Sequence, residues 1–164
     1  GVSATAGSCS RSESPTAPSG PAALTLSVAP SAVPYAGGAG VGGAICPAPY
    51  LSRWGPFAWS VRESNGRAVT ITSFRYLVKR ADGSVEDDAE SIRVLSASLT
   101  GVPSTTVALP AYASLTGRPE YDCELERDGR PAFGGGAIEF TASGRDDAGN
   151  PVTSTAVLTL LPPS

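Results

Sequence analysis

Side-chain oxygens that could do chemistry gather in three short runs of the chain. Asp146, Asp147 and Asn150 lie in "SGRDDAGNPV" (143–152), and Glu86, Asp87, Asp88 and Glu90 lie in "SVEDDAES" (84–91). Asp122, Glu124, Glu126 and Asp128 lie around "DCELERD". A calcium ion takes about six to eight oxygens, usually drawn from several loops, so such runs are where a calcium site would be sought. None follows the D-x-[DN]-x-[DN]-G order of a helix–loop–helix calcium site. If 122–128 is extended, alternation places its four acids on one face, which exposure to water explains as well as a cation does. The calcium candidates are therefore Asp122, Glu124, Asp146 and Asp147, and the simpler expectation is no metal. For 143–152 that simpler expectation is a hairpin turn. Asp and Asn tolerate left-handed backbone and bond their own amides, Gly149 supplies a positive φ, and Pro151 ends the turn.

Other chemistries are excluded by what the chain lacks. With no histidine, it cannot supply a Ser-His-Asp or Cys-His constellation or a His-ligated zinc or copper. With no methionine, Met-ligated copper is excluded as well. The glycine runs at 37–43 and 134–136 carry no lysine and open no helix, so they do not cradle phosphate. A glycosidase needs two carboxylates flanking a cleft. Glu63, Glu86, Glu90, Glu120, Glu124, Glu126 and Glu139 are available, but most fall at turns or on outward strand positions, as Glu139 does between Ile138 and Phe140. No catalytic residue and no cofactor is expected.

Aromatic residues give the best binding hypothesis. Tyr50 and Trp54 share "PAPYLSRWGPF", and Tyr112 and Tyr121 fall in later loops. Sugar rings stack their C–H faces on exposed aromatic planes, so these four could form a carbohydrate platform. The competing reading, which we prefer, has Trp54 closing one end of the core.

The composition bounds the setting. At 164 residues the chain suits one domain with a real core. Charged residues make up 16%, against about 25% in ordinary globular chains, and Gly 19 and Pro 15 supply many turns. The net charge is −3 with a pI near 4.9, and the arginines are scattered, so no basic stripe marks a nucleic-acid partner. No run approaches the roughly 20 apolar residues of a membrane span. Position 1 is Gly with no apolar leader before the body, as in a processed secreted chain or an expressed fragment. The expected setting is secreted or cell-surface, with a protein or a glycan there as partner. Of the three cysteines, Cys46 and Cys123 lie in the body and are the preferred disulfide, with Cys9 left over; three reduced cysteines are an equal alternative.

Residues 1–22 are rich in Ser, Thr and Pro, with Val2 their one large apolar side chain, and read as an arm or linker. The domain is expected over 23–164. Leu24, Leu26 and Val28 alternate with small polar residues, and Pro30 and Pro34 mark an edge strand that breaks and resumes. Phe57, Trp59 and Val61 share one strand face. Val69 and Ile71 are in phase, but Phe74, Tyr76 and Val78 are shifted by one, which predicts a bulge around Thr72–Ser73. "SNGR" (64–67) and "ADGS" (81–84) are turns, the first joining strands either within one sheet or across two. Further strands are expected over 91–99, 105–110, 136–143 and 152–161, and 84–91 as at most one helical turn. About seven or eight strands with turn signals every dozen or so residues predict an all-β antiparallel two-sheet sandwich.

"LTLSVAPSAVPYAGG", "WSVRESNGRAVTI" and "IEFTASGRDDAGNPVTSTAVLTL" together resemble bacterial extracellular immunoglobulin-like domains, over about residues 23–162. The Cys…Trp…Cys spacing of antibody domains is absent. The resemblance implies an immunoglobulin-like sandwich that serves as a spacer, adhesion or ligand-binding module, usually without catalysis.

Overall fold

The computed structural model describes residues 20–34, 50–52, 57–90, 106–117, 123–127, 130–131 and 134–162, with only the backbone course of 50–52, 87, 89, 90, 123–127 and 130–131. Twelve strands lie among them. They are β1 (Leu24–Ala29), β2 (Ala32–Val33), β3 (Tyr50–Ser52), β4 (Ala58–Glu63), β5 (Val69–Arg80) and β6 (Val85–Glu90). They continue with β7 (Val107–Leu109), β8 (Ser114–Gly117), β9 (Cys123–Arg127), β10 (Arg130–Pro131), β11 (Gly136–Asp146) and β12 (Pro151–Leu160). The fold is all-β: among the described residues there is no helix, and so none long and apolar enough to cross a membrane.

Three sheets form. One has the order β1-β4-β8, a second β10-β9-β3, and the largest β2-β12-β11-β5-β6, with β7 also paired to β5. Antiparallel pairing prevails, but β2 runs parallel to β12, with Thr159 opposite Ala32 and Leu160 opposite Val33. The largest sheet is therefore mixed, not purely antiparallel as the turn-rich sequence suggested. The cause lies at "APSAV": Pro30 cannot donate to a ladder, so the chain leaves β4 after Ala29 and resumes on another sheet. The Thr159 N–H then donates to Ser31 O and the Leu161 N–H to Val33 O, each at 2.9 Å.

Alternation sets the inward faces. Leu26, Trp59, Val61 and Leu115 from the β1-β4-β8 sheet share one core with Ile71, Phe74, Phe140 and Leu158 from the largest sheet. Trp59 packs tilted on Phe74 with ring centroids 5.6 Å apart, and Phe74 stacks on Phe140 at 5.9 Å. Among the described residues no acceptor meets the buried Trp59 indole N–H; the area the ring buries stabilises more than one such bond would. The phase slip read in the sequence is present. Ser143 pairs with Ser73 and Gly144 with Ile71, so Thr72 is the extra residue of a bulge in β5.

Residues 85–90 of the acidic run form a strand, not a helical turn. The Asp82-Gly83 turn, with Gly83 at φ +85°, brings β6 back along β5. There Arg75 pairs with Asp88 and Arg80 with Glu86, so opposite charges on neighbouring strands offset the poor strand propensity of the acids. The predicted strand 91–99 lies outside the described residues.

Candidate functional site

Glu63 is the last residue of β4 and keeps the inward phase of Trp59 and Val61, so its carboxylate enters the protein at the rim of the core. It is fully buried. A buried carboxylate is costly unless hydrogen bonds replace its water, and four backbone N–H groups do so here. Oε1 accepts from Asn65 at 2.7 Å and Ala23 at 3.3 Å; Oε2 accepts from Gly66 and Tyr112, both at 3.0 Å. Burial pushes the Glu63 carboxyl up, but the amides of Tyr112, Asn65, Ala23 and Gly66 together outweigh it and hold it below its ordinary 4.5.

These donors come from three separate pieces of chain. Asn65 and Gly66 belong to the turn by which β4 crosses from its own sheet to β5 in the largest one. That answers the question the Asn-Gly turn posed: it joins two sheets, not one hairpin. Tyr112 belongs to the 110–113 turn, closed by the Ala113 N–H on Pro110 O at 3.0 Å, by which β7 crosses back to β8. Ala23 belongs to the segment leading into β1. One carboxylate thus ties both crossings to the start of the first strand.

Asp146 ties the β11–β12 hairpin to the same entering segment. It ends β11 at 6% exposure. Oδ1 accepts from the Asn150 N–H at 2.8 Å and the Ala148 N–H at 3.0 Å; Oδ2 accepts from Asn150 Nδ2 at 3.0 Å and the Ala22 N–H at 3.2 Å. The Asn150 carboxamide, with these amides, lowers the carboxyl to about 2. The run 143–152 is the hairpin joining β11 and β12: the Asp146 N–H donates to Asn150 O and the Gly149 N–H to Asp146 O, each at 2.9 Å, with Gly149 at φ +86°. Each Asp146 oxygen already accepts two hydrogen bonds. Among the described residues no three His, Cys, Asp or Glu side chains converge as a ligand set.

Together these groups grip four consecutive residues ahead of β1. Arg67 Nε donates to Gly20 O, and Asn65 Nδ2 donates to Pro21 O at 3.0 Å. The Ala22 N–H reaches Asp146 and the Ala23 N–H reaches Glu63, while Ala23 O accepts from the Ser64 N–H at 3.1 Å. Arg67 is fixed in turn by Asp147 at 2.9 Å, and the Asp147 N–H donates to Ala68 O at 2.9 Å. Residues 20–23 are thereby clasped, although 20–22 read from the sequence as part of the arm.

Of the aromatic platform, Tyr112 is described: it is 64% exposed with φ +58°. Its phenol end lies against Gly66, where an added Cβ would be 2.6 Å from Cζ. Tyr50 starts β3 opposite Leu125; Trp54 and Tyr121 lie outside the described residues. Among the other candidates, Cys123 and Glu124 lie in β9 opposite Ser52 and Leu51, while Asp122, Cys46 and Cys9 lie outside the described residues. Glu63, taken from sequence as one carboxylate among many, carries a readable signal: it is in phase with Trp59 and Val61. Asn65 and Arg67 carry none, because their partners lie 44 and 47 residues away.

No protein-family model matches the chain, and no curated protein matches it. Two chains of known structure match. One, from Bordetella pertussis and assigned provisionally as ApaA, is 16% identical with a TM-score of 0.48, covering 85% of this chain and 95% of its own.

Proposed function

We propose that this chain is a non-catalytic structural or adhesion module of a bacterial extracellular protein, with an immunoglobulin-like sandwich arrangement of its sheets. Its work is to hold the polypeptide in a fixed path where it enters the domain. The observation that carries this reading is the clasp: among the described residues, both buried carboxylates accept from N–H groups of the chain itself. The parallel β2–β12 pair supports it, since strands near the two ends of the chain slide past each other in shear when those ends are pulled apart. The extracellular placing rests on the hydroxyl-rich, charge-poor composition and on the resemblance of the strand pattern.

Single-molecule pulling between the chain ends tests the proposal, because resistance is set by the unfolding rate under force. A discrete force peak from cooperative rupture is expected, and extension without a peak would contradict it. The second reading, a carbohydrate-binding module, is favoured by one observation, the exposed Tyr112 ring seated on Gly66. Glycan-array binding abolished by Tyr112→Ala is the outcome that would support it instead.

A further inference from the structure

Asn65-Gly66 is a dipeptide with its own chemistry. When the amide nitrogen of the residue after an asparagine loses its proton, it attacks Asn Cγ. The N–Cγ bond closes a succinimide, the Cγ–Nδ2 bond breaks, and Nδ2 leaves as ammonia after taking up a proton. Water then opens the ring to aspartate or isoaspartate. Glycine in second place favours this, because no Cβ hinders the attack.

The attacking nitrogen and the leaving nitrogen of this reaction are both hydrogen-bonded here. The Gly66 N–H, which must ionise, donates to Glu63 Oε2 at 3.0 Å, so a neighbouring carboxylate stabilises the proton and opposes a second negative charge beside it. The Asn65 carboxamide, which must turn toward that nitrogen, is held by Nδ2 on Pro21 O at 3.0 Å. The Asn65 N–H is held by Glu63 Oε1 at 2.7 Å. Gly66 keeps φ +79° with the Tyr112 phenol against it, which limits the swing that closure of the ring requires.

We propose that Asn65-Gly66 is a latent self-modification site, kept silent by Glu63 and the docked residues 20–23 and released when that segment undocks. The change is one-way. Aspartate at 65 places a carboxylate oxygen against Pro21 O and beside Glu63, where a donor is required, and isoaspartate adds a backbone atom to a turn whose two amides must both reach one carboxylate. An undocking event is thereby converted into a permanently loosened clasp.

The test is peptide mass mapping of deamidation at 65 at mildly alkaline pH, on the full chain. The folded protein is compared with the same protein in guanidinium, with Glu63→Gln, and with Leu158→Ala. The last is a core control seven positions along β12 from the hairpin. Loss of ammonia is expected to be about tenfold or more slower in the folded protein than in the unfolded one, as for a group released only by local opening. Glu63→Gln should approach the unfolded rate, and Leu158→Ala should remain well below it. Equal folded and unfolded rates would overturn the proposal, as would equal acceleration by Glu63→Gln and Leu158→Ala. If Glu63→Gln does not fold, Arg67→Ala, which retains Glu63 and frees Gly20, must react faster than Leu158→Ala; equal rates overturn the proposal.

Discussion

Glu63→Gln is expected to lower the unfolding free energy by about 3 kcal/mol, although it changes one atom and adds almost no volume. The carboxylate presents an acceptor at both oxygens, and each oxygen receives two N–H groups. Glutamine keeps an acceptor at one of those positions and puts an NH2 at the other. Either way round, two backbone N–H groups face a donor in a site closed to water. Glu63→Ala leaves all four unmet and is expected to cost at least as much. Urea denaturation checks both, with a shift in midpoint at unchanged slope. Against a typical total of about 5–15 kcal/mol, the loss is a large fraction of what keeps a domain folded. A neutral glutamine variant would mean that Glu63 holds no part of the clasp.

The second large effect is expected at Gly144, and it isolates contact from conformation. Gly144 sits where the bulge in β5 brings two strands close, and a Cβ there would strike the Thr70 carbonyl oxygen and lie 2.9 Å from Ile71 Cα. Both are backbone atoms of a paired central strand, so no side chain can swing aside. Gly144→Ala is expected to cost about 2–3 kcal/mol, in the range of overpacked cores. For a domain of this size that lowers Tm by roughly 5–10 °C, readable by calorimetry. Gly149→Ala is the contrast, since Gly149 has φ +86° but nothing within 4 Å of the added Cβ. It should cost about 1 kcal/mol, the left-handed strain alone. If the two variants were equal, the close approach at the bulge would not be constraining the sheet.

The same bulge shows what a single sequence reveals. Val69 and Ile71 followed by Phe74, Tyr76 and Val78 announce an extra residue, because period-2 burial leaves no other way to keep both halves facing one core. The last hairpin is legible for a similar reason: Asp146, Gly149 and Pro151 are the residues such a turn demands. Harder to read are features decided by distant pairing. Nothing within "VEDDAE" announces a strand, since Arg75 and Arg80 across the hairpin make it acceptable there. Nothing within "SAV" announces a parallel partner, because that partner is β12, at the far end of the chain. Leu115 is the one large apolar residue of β8, too little pattern to read. The clasp is half legible. The phase of Glu63 and the turn chemistry of Asp146 are local, but that both reach residues 20–23 is a fact of three dimensions.

Both anchoring carboxyls are lowered in the folded protein, Glu63 from 4.5 and Asp146 from 3.8 to about 2. The unfolded chain therefore binds protons first as pH falls. The stability these groups contribute is complete above about pH 4–5, the unfolded carboxyl range. It is lost progressively as pH drops through that range toward 2, where Asp146 itself protonates. Carbon-13 NMR titration of the side-chain carboxyls, followed together with the Ala22 and Ala23 amide shifts, reads the clasp at its own atoms. The expected result is an Asp146 midpoint near 2 and a Glu63 midpoint below 4.5, with the Ala22 amide following Asp146 and the Ala23 amide following Glu63. Midpoints at the ordinary values of 3.8 and 4.5, with both amides indifferent, would show that these carboxylates do not hold the chain where it enters the domain.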